Sequence, residues 1–207
     1  MEVVTPIKFA HVVLRAKKYK EQIAFYQLLL GARIVHSDQQ ATFLTYDNEH
    51  HRIAITNLPG LLPRLAATAG VDHYAFTYQC LGNLLSTYTR MKANGHNPVW
   101  CTHHGATISI YYQDADTNVV ETQVDVVGSI EEANDYINSQ DFKTNPIGVD
   151  FDPDEMLKKH NEGGSWEDLS TRVTDGPRHP ATIPRKYLGW FHWTMLQIMK
   201  KLGVNPS

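Results

Sequence analysis

The sequence contains very little cysteine and no long apolar run. Only two cysteines, Cys80 and Cys101, occur in 207 residues, and their spacing matches neither a metal site nor a disulfide framework. No apolar stretch approaches the roughly 20 residues that a membrane-spanning helix needs, and no signal-peptide core is visible at the N-terminus. The formal net charge of −3 predicts no basic surface for nucleic acid. These absences favour a cytoplasmic protein that binds neither membranes nor nucleic acid.

Histidine, by contrast, is abundant. The chain contains 11 histidines, whereas its 42% hydrophobic and 20% charged residues are ordinary for a globular protein. A chain of this length can bury one substantial core. The excess of histidine is therefore the compositional feature that most needs an explanation.

Two parts of the chain repeat one pattern. Residues 7–16, IKFAHVVLRA, and residues 71–80, VDHYAFTYQC, are alternating runs that each carry a histidine near the start. A predicted helix follows each run and is closed by Gly31 or Gly95. The apolar residues at helical spacing are Ile23, Tyr26, Leu29 and Leu30 in the first helix and Leu84, Leu85, Tyr88 and Met91 in the second. The two histidines lie 62 residues apart and the two glycines 64 residues apart, so the period hardly drifts.

Short strands follow each predicted helix. They are predicted at 32–35, 42–46 and 52–56 in the first copy and at 97–102, 107–112 and 119–124 in the second. Each copy is therefore a βαβββ module, the first over about residues 6–60 and the second over about 69–125. We expect an α+β protein in which the two tandem modules, spanning residues 6–125, form one curved mixed sheet.

Residues 126–207 are predicted to be a helical C-terminal extension. The expected helices lie near 129–138, 153–160 and 188–202, the first opened by a capping box at Ser129. Residues 161–186 are polar and rich in glycine and proline, which indicates an extended arm. We expect the extension to cover either the mouth of the active site or a partner subunit.

Three residues in strand-like runs are candidate metal ligands. His11 and His73 occupy equivalent points of the two modules, and Glu121 lies on the last strand of the second module. Any one of them alone would more often be a hydrogen-bonded core or surface residue. Two imidazoles and one carboxylate together form the facial triad that leaves coordination positions open on ferrous iron. The matched positions therefore predict a metal site.

The same runs resemble the vicinal oxygen chelate superfamily and, within it, the type I extradiol ring-cleavage dioxygenases. The family's metal histidines stand in the opening strands of successive modules, here FAHVVLR and GVDHYAFTY. Its metal glutamate closes a run of the type YxDPDGNxxE, here YYQDADTNVVE, where Ala115 and Thr117 replace the usual proline and glycine. The resemblance covers about residues 6–125.

The resemblance also implies three catalytic residues. In FLTYDNEHHRIAI the second histidine of the pair, His51, takes the place of the family's acid–base residue, although an exposed hairpin corner is the plain alternative. Tyr111, ten residues before Glu121, has the spacing of a tyrosine that hydrogen-bonds the diol, so its neighbour Tyr112 should face away. His104 takes the place of a further diol-orienting histidine, with His103 as the competing choice.

The implied function is an Fe(II)-dependent extradiol dioxygenase that cleaves an aromatic 1,2-diol with O2, in a homodimer, with Mn(II) as the alternative metal. The rivals are a glyoxalase-type isomerase, a thiol transferase and a non-catalytic small-molecule binding or resistance protein. The isomerase would use an extra carboxylate from the end of the first module. The corresponding residues 53–59, IAITNLP, contain no aspartate or glutamate, which favours the dioxygenase.

Overall fold

A computed structural model of the chain describes residues 3–65, 68–172 and 176–204. Two compact units are distinguished, and each contains one module. The first is Met1–Arg64 with Asp114–Asp116, and the second is Leu65–Gln113 with Thr117–Ser207. Within the described ranges, no helix is both long enough and apolar enough to cross a membrane.

The first unit contains a four-stranded mixed sheet and one helix. Its elements are β1 (Val12–Arg15), α1 (Tyr19–Leu30), β2 (Arg33–Ser37), β3 (Ala41–Thr45) and β4 (Ile53–Thr56). The strand order is β1-β4-β3-β2, with β1 parallel to β4 and the other pairs antiparallel. Helix α1 buries Phe25, Tyr26 and Leu29, and it ends at Gly31, whose φ of +62° is the left-handed conformation predicted for a closing glycine.

Helix α1 begins without a side-chain cap of its own. The carboxylate of Asp116, from the short segment that belongs to this unit, accepts backbone N–H bonds from Lys17 (2.8 Å) and Lys18 (3.2 Å). A negative charge at a helix N-terminus also interacts favourably with the helix dipole. Asp116 thus takes the capping role that the sequence next to helix α1 lacks.

The second unit contains a five-stranded mixed sheet. Its module comprises β5 (His73–Thr77), α2 (Leu81–Ala93), β6 (Trp100–His103), β7 (Thr107–Gln113) and β8 (Val119–Asp125). The strand order is β5-β8-β7-β6-β9, where β9 (Val149–Asp150) comes from the C-terminal extension. Helix α2 buries Leu84, Leu85, Tyr88 and Met91, the apolar positions read from its helical spacing.

The α+β class and the two βαβββ modules are confirmed, but each module has a sheet of its own where one shared sheet was expected. The reason is that each opening strand pairs in parallel with the closing strand of its own module.

Strand β9 was not predicted from the sequence. It follows a turn in which Asn145 Oδ1 accepts the backbone N–H of Gly148, and Gly148 (φ +97°) allows the backbone to approach His103 closely.

The extension contains more helices than predicted. They are α3 (Ile130–Asn138), α4 (Gln140–Thr144), α5 (Pro153–Asn161), α6 (Trp166–Ser170), a 3₁₀ turn (Pro180–Thr182), α7 (Arg185–Leu188) and α8 (Trp190–Lys201). Helices α3 and α5 lie where the sequence placed them. The segment expected at 188–202 is interrupted at Gly189 (φ +77°), and the expected arm at 161–186 contains α6, capped by Ser165. Residues 173–175 of that arm lie outside the described ranges.

Thr117 has a φ of +68°, and it is the only residue other than glycine with a positive φ in the described parts of the chain. It occupies the turn where the family resemblance has glycine. A left-handed conformation costs a residue with a side chain about 1–2 kcal/mol, and glycine avoids this cost. The greater conformational freedom of glycine in the unfolded chain offsets part of the gain. We therefore expect Thr117→Gly to raise the free energy of unfolding by about 0.5–1 kcal/mol, as measured by urea denaturation. The control Thr107→Gly, at the first residue of β7, should lower the free energy of unfolding. If neither variant or both variants were more stable than the wild type, the assignment of strain to Thr117 would be contradicted.

Candidate active site

Two of the three predicted metal ligands lie side by side in the second unit. Strand β5 runs parallel to β8 with Ala75 opposite Glu121, so that the side chains of His73 and Glu121 share one face of the sheet. His73 Nε2 lies 3.0 Å from Glu121 Oε2. The glutamate side chain is only 6% exposed and that of His73 is 32% exposed. The pair therefore forms a buried carboxylate with a partly accessible imidazole beside it.

Tyr111 and His104 extend this pair into a hydrogen-bonded chain. Tyr111 on β7 lies directly opposite Glu121, and its hydroxyl donates to Glu121 Oε1 at 2.9 Å. His104 Nε2 lies 2.8 Å from the same hydroxyl. Because the phenol proton points to the carboxylate, His104 is the donor to the phenol oxygen. The structure thus brings together four of the six residues selected from the sequence.

Burial and charge set the protonation states of these groups. Hydrogen bonds to Asp72 and then to Glu121 raise the pKa of His73 to about 9. Burial raises the pKa of Glu121, but hydrogen bonds, led by that from His73, outweigh burial and lower the pKa overall. Burial raises the pKa of Tyr111 and lowers that of His104. The site therefore contains an ionised carboxylate, a protonated phenol and a neutral imidazole on His104.

The competing residues His103 and Tyr112 lie on the other face of the sheet. His103 Nε2 is 2.7 Å from the backbone oxygen of Ser170, and its ring does not take part in the chain described above. Tyr112 is fully buried, and burial, followed by the nearby Cys101, raises its pKa. Strand alternation therefore separates Tyr111 from Tyr112, as the sequence indicated, and His103 makes its contacts away from the Tyr111 side of the sheet.

The remaining two candidates, His11 and His51, lie in the first unit. His11 directly precedes β1 and is exposed, so it stands one residue outside the strand in which the sequence placed it. Its ring centroid is 4.3 Å from that of His51, which stacks on Phe43 at 4.9 Å. Burial, followed by repulsion from His11 and His50, lowers the pKa of His51. The predicted acid–base residue thus adjoins a predicted ligand.

Arg52 connects the chain segments next to His11 and His51. Its Nη1 donates to the backbone oxygens of Phe9 (2.6 Å) and Ala10 (3.1 Å), the two residues before His11. Its Nε donates to the Asp47 carboxylate at 3.0 Å, which lowers the pKa of Asp47 to about 2. One guanidinium therefore links the segment leading to His11 with the turn that precedes the histidine pair.

Within residues 3–65, 68–172 and 176–204, no group of three or more histidine, cysteine, aspartate or glutamate side chains is arranged to hold a metal ion. His73 and Glu121 belong to one unit and His11 belongs to the other.

Comparison with known proteins assigns the family. Residues 8–122 match the model of the Glyoxalase/Bleomycin resistance protein/Dioxygenase superfamily. The chain belongs to this superfamily. The superfamily predicted from the sequence is therefore confirmed, and it accounts for the two βαβββ modules.

Two curated relatives from Rhodococcus globerulus place this superfamily member among the dioxygenases. Biphenyl-2,3-diol 1,2-dioxygenase 2 is 42% identical over 147 residues, which cover 70% of this chain and 77% of the relative. Biphenyl-2,3-diol 1,2-dioxygenase 3 is 37% identical over 172 residues, 82% of this chain and 90% of the relative. The extradiol dioxygenase class predicted from the sequence is in agreement with both.

A solved structure also aligns with part of the chain. The genomically encoded fosfomycin resistance protein from Listeria monocytogenes is 25% identical, with a TM-score of 0.46 over 63% of this chain and 98% of its own. This limited overlap assigns no function.

Three residues of the candidate site were missed by the sequence interpretation. Asp72 Oδ2 lies 2.7 Å from His73 Nδ1, Trp100 stacks on Tyr111 at 5.1 Å, and the Tyr187 ring stands perpendicular to Tyr111 at 5.2 Å. Asp72 had a readable signal, since a carboxylate directly precedes a predicted ligand. Trp100 and Tyr187 had none, because strand pairing and the path of the extension bring them to the site.

Gly105 keeps the loop of His104 in place. Its φ is +100°, and an added Cβ would overlap the hydroxyl of Tyr136, which donates to the backbone oxygen of His104 at 2.9 Å. We expect Gly105→Ala to lower the free energy of unfolding by at least about 2 kcal/mol, since backbone strain and overpacking add. The matched control is Gly95→Ala, which has a φ of +80° but open space around the new Cβ. Urea denaturation should give the control a clearly smaller loss; equal losses would contradict the steric account.

Proposed function

We propose that this protein is an Fe(II)-dependent extradiol dioxygenase that opens an aromatic 1,2-diol with O2. The observation that carries the proposal is the hydrogen-bonded chain His73–Glu121–Tyr111–His104. It occurs in a chain whose two curated relatives are named biphenyl-2,3-diol 1,2-dioxygenases.

The donors in the second unit fit a divalent metal. An imidazole nitrogen and an ionised carboxylate oxygen lie 3.0 Å apart, and the other nitrogen of His73 is held by the Asp72 carboxylate. Metal-binding histidines typically carry such a carboxylate on the second ring nitrogen. We propose His11 as the third ligand, on the strength of the family resemblance. Two histidines and one carboxylate suit Fe(II), with Mn(II) as the alternative.

Fe(II), when bound, supplies coordination of the diol and O2 and a path for electrons between them. The protein supplies the orientation of the diol and the proton transfers. We propose that Tyr111, which stays protonated, and neutral His104, both next to the Glu121 carboxylate, orient the diol oxygens. His51 is proposed to accept a proton from the diol and to return it as the ring opens, since imidazole exchanges protons near neutral pH.

The proposed reaction balances without another reductant. The carbon–carbon bond next to the diol breaks, the O–O bond breaks, and both oxygen atoms enter the ring-opened product. The aromatic ring supplies the electrons that reduce O2. Trp100 and Tyr111, stacked with an interplanar angle of 21°, belong to a buried apolar cluster beside the polar chain. Biphenyl-2,3-diol, which the names of both relatives contain, is the first candidate substrate to test.

The proposal extends to location and assembly. Both Cys80 and Cys101 are free thiols, which supports a reducing cytoplasm. The family resemblance supports a homodimer, which light scattering of the purified protein would test.

The experiment that tests the function is oxygen uptake by anaerobically Fe(II)-loaded protein with a panel of aromatic 1,2-diols. Product absorbance is followed in the same cuvette, and His11→Ala serves as the control. We expect stoichiometric O2 uptake with a yellow product, absent in the variant.

The other outcomes separate the rival functions. Tightly bound metal without O2 uptake would favour an isomerase or a thiol transferase. Failure to retain any divalent metal, together with no uptake, would favour a non-catalytic binding protein. Uptake that persists at full rate in His11→Ala would exclude His11 as a ligand.

A further inference from the structure

Tyr187 of helix α7 reaches the ligand pair from the C-terminal extension, 114 residues along the chain from His73. Its hydroxyl donates to the Asp72 carboxylate and lies 3.1 Å from His73 Nδ1. We propose that Tyr187 is a positioning residue that holds Asp72 and thereby orients His73 for metal binding. This inference rests on the proposed function, since it assigns His73 as a ligand.

Asp72 determines which ring nitrogen of His73 carries a proton. Asp72 Oδ2 lies 2.7 Å from Nδ1, and an ionised carboxylate can only accept hydrogen bonds. Nδ1 therefore carries a proton, and Nε2 is the nitrogen that faces Glu121. A histidine fixed in this way presents one defined nitrogen to a metal, with a ring orientation set by its carboxylate partner.

Asp72 lies at the surface, and its side chain is 71% exposed. An exposed carboxylate gains little from a contact with one neighbour, because water and side-chain motion compete with it. The Tyr187 hydroxyl binds the same oxygen, Oδ2, that contacts His73. Two donors converging on one oxygen restrict the carboxylate more than either would alone. The Tyr187 hydroxyl therefore limits the motion of the Asp72 carboxylate, which its surface position alone does not limit.

Aromatic packing and a backbone hydrogen bond hold Tyr187 in place. Its ring packs nearly perpendicular to Trp100 at 5.0 Å and to Tyr111 at 5.2 Å. Ile183, four residues earlier, packs against the same cluster of Trp100, Tyr111 and Val119. Gln113 Nε2 donates to the backbone oxygen of Lys186 at 3.0 Å. The packing of the ring and the hydrogen bond to the adjacent Lys186 backbone therefore fix the position of the Tyr187 hydroxyl.

The decisive variant is Tyr187→Phe, which keeps the packed ring and removes only the hydroxyl. Its control is Tyr88→Phe, which removes a Tyr–Asp hydrogen bond of 2.7 Å to Asp154, on helix α5 of the same unit. The probe is Co(II) alone, titrated into metal-free full-length protein and followed by its visible absorption. The readouts are the dissociation constant and the shape of the Co(II) spectrum, neither of which requires turnover.

We expect Tyr187→Phe to weaken Co(II) binding about 10-fold and to shift the spectrum, since losing a partner of a metal-binding histidine costs about 10–100-fold. Asp72→Asn should weaken binding at least as much. The double variant should show less than the sum of the two free-energy losses, because the two residues act through one contact. Tyr88→Phe should match the wild type.

Three results would overturn the inference. If Tyr187→Phe binds Co(II) like the wild type while Asp72→Asn binds weakly, Tyr187 only packs. Equal losses in Tyr187→Phe and Tyr88→Phe would mean a general effect on the fold. If the wild type itself binds no Co(II), Fe(II) or Mn(II), the proposed function fails first and the positioning role fails with it.

Discussion

Replacing Glu121 by glutamine should remove metal binding while the protein stays folded. The substitution keeps the size of the side chain and an oxygen that can accept the Tyr111 hydroxyl, which lies 2.9 Å from Oε1. It removes the negative charge that faces His73 Nε2 at 3.0 Å. Partners behind a metal ligand already contribute about 10–100-fold to affinity, so loss of a ligand charge should cost more than about 100-fold.

The measurement is the Fe(II) content and affinity of Glu121→Gln, alongside its circular dichroism spectrum. The matched control is Asp125→Asn, a carboxylate at the exposed end of the same strand β8. The control should bind Fe(II) like the wild type. Unchanged iron content in Glu121→Gln would exclude Glu121 from the ligand set.

Replacing His51 by alanine should have the opposite signature, with iron retained and turnover lost. A positioned acid–base group typically contributes about 10²–10⁴-fold to the rate, so we expect kcat to fall at least about 100-fold. His51 stacks on Phe43 and lies beside His11, so alanine removes the imidazole from an ordered environment. The loss should appear in kcat more than in KM, because the substrate is held by other groups.

The experiment compares His51→Ala with His192→Ala, an exposed histidine of helix α8. Iron content and steady-state kinetics are measured for both variants. His192→Ala should behave as the wild type. Loss of iron in His51→Ala would make His51 a ligand or a folding residue, and unchanged turnover would exclude the acid–base role.

Hydrophobic periodicity predicted the modules well, because a helix or strand that buries one face has apolar residues at the spacing of that face. The apolar positions of α2 were read correctly, and Gly31 ends α1 in the left-handed conformation expected of it. Strand alternation also predicted that Tyr111 and Tyr112 face opposite sides of the sheet, and Tyr111, chosen by its family spacing, lies opposite Glu121. These features depend on neighbours along one element or one hairpin.

What the sequence did not reveal depends on contacts between distant segments. Strand β9 is two residues long and exists because the chain after Asn145 returns to β6. Tyr187 reaches His73 only through the path of the extension. Gly189 interrupts a segment whose apolar spacing alone predicted one helix. No local pattern distinguishes such residues from ordinary ones.

The most direct test of the central claim is the fate of isotopically labelled O2 in the product formed from biphenyl-2,3-diol by the Fe(II)-loaded protein. Mass spectrometry of the ring-opened product should find both labelled oxygen atoms, with the ring cleaved beside the two hydroxyl groups rather than between them. One labelled atom, or cleavage between the hydroxyl groups, would contradict an extradiol dioxygenase.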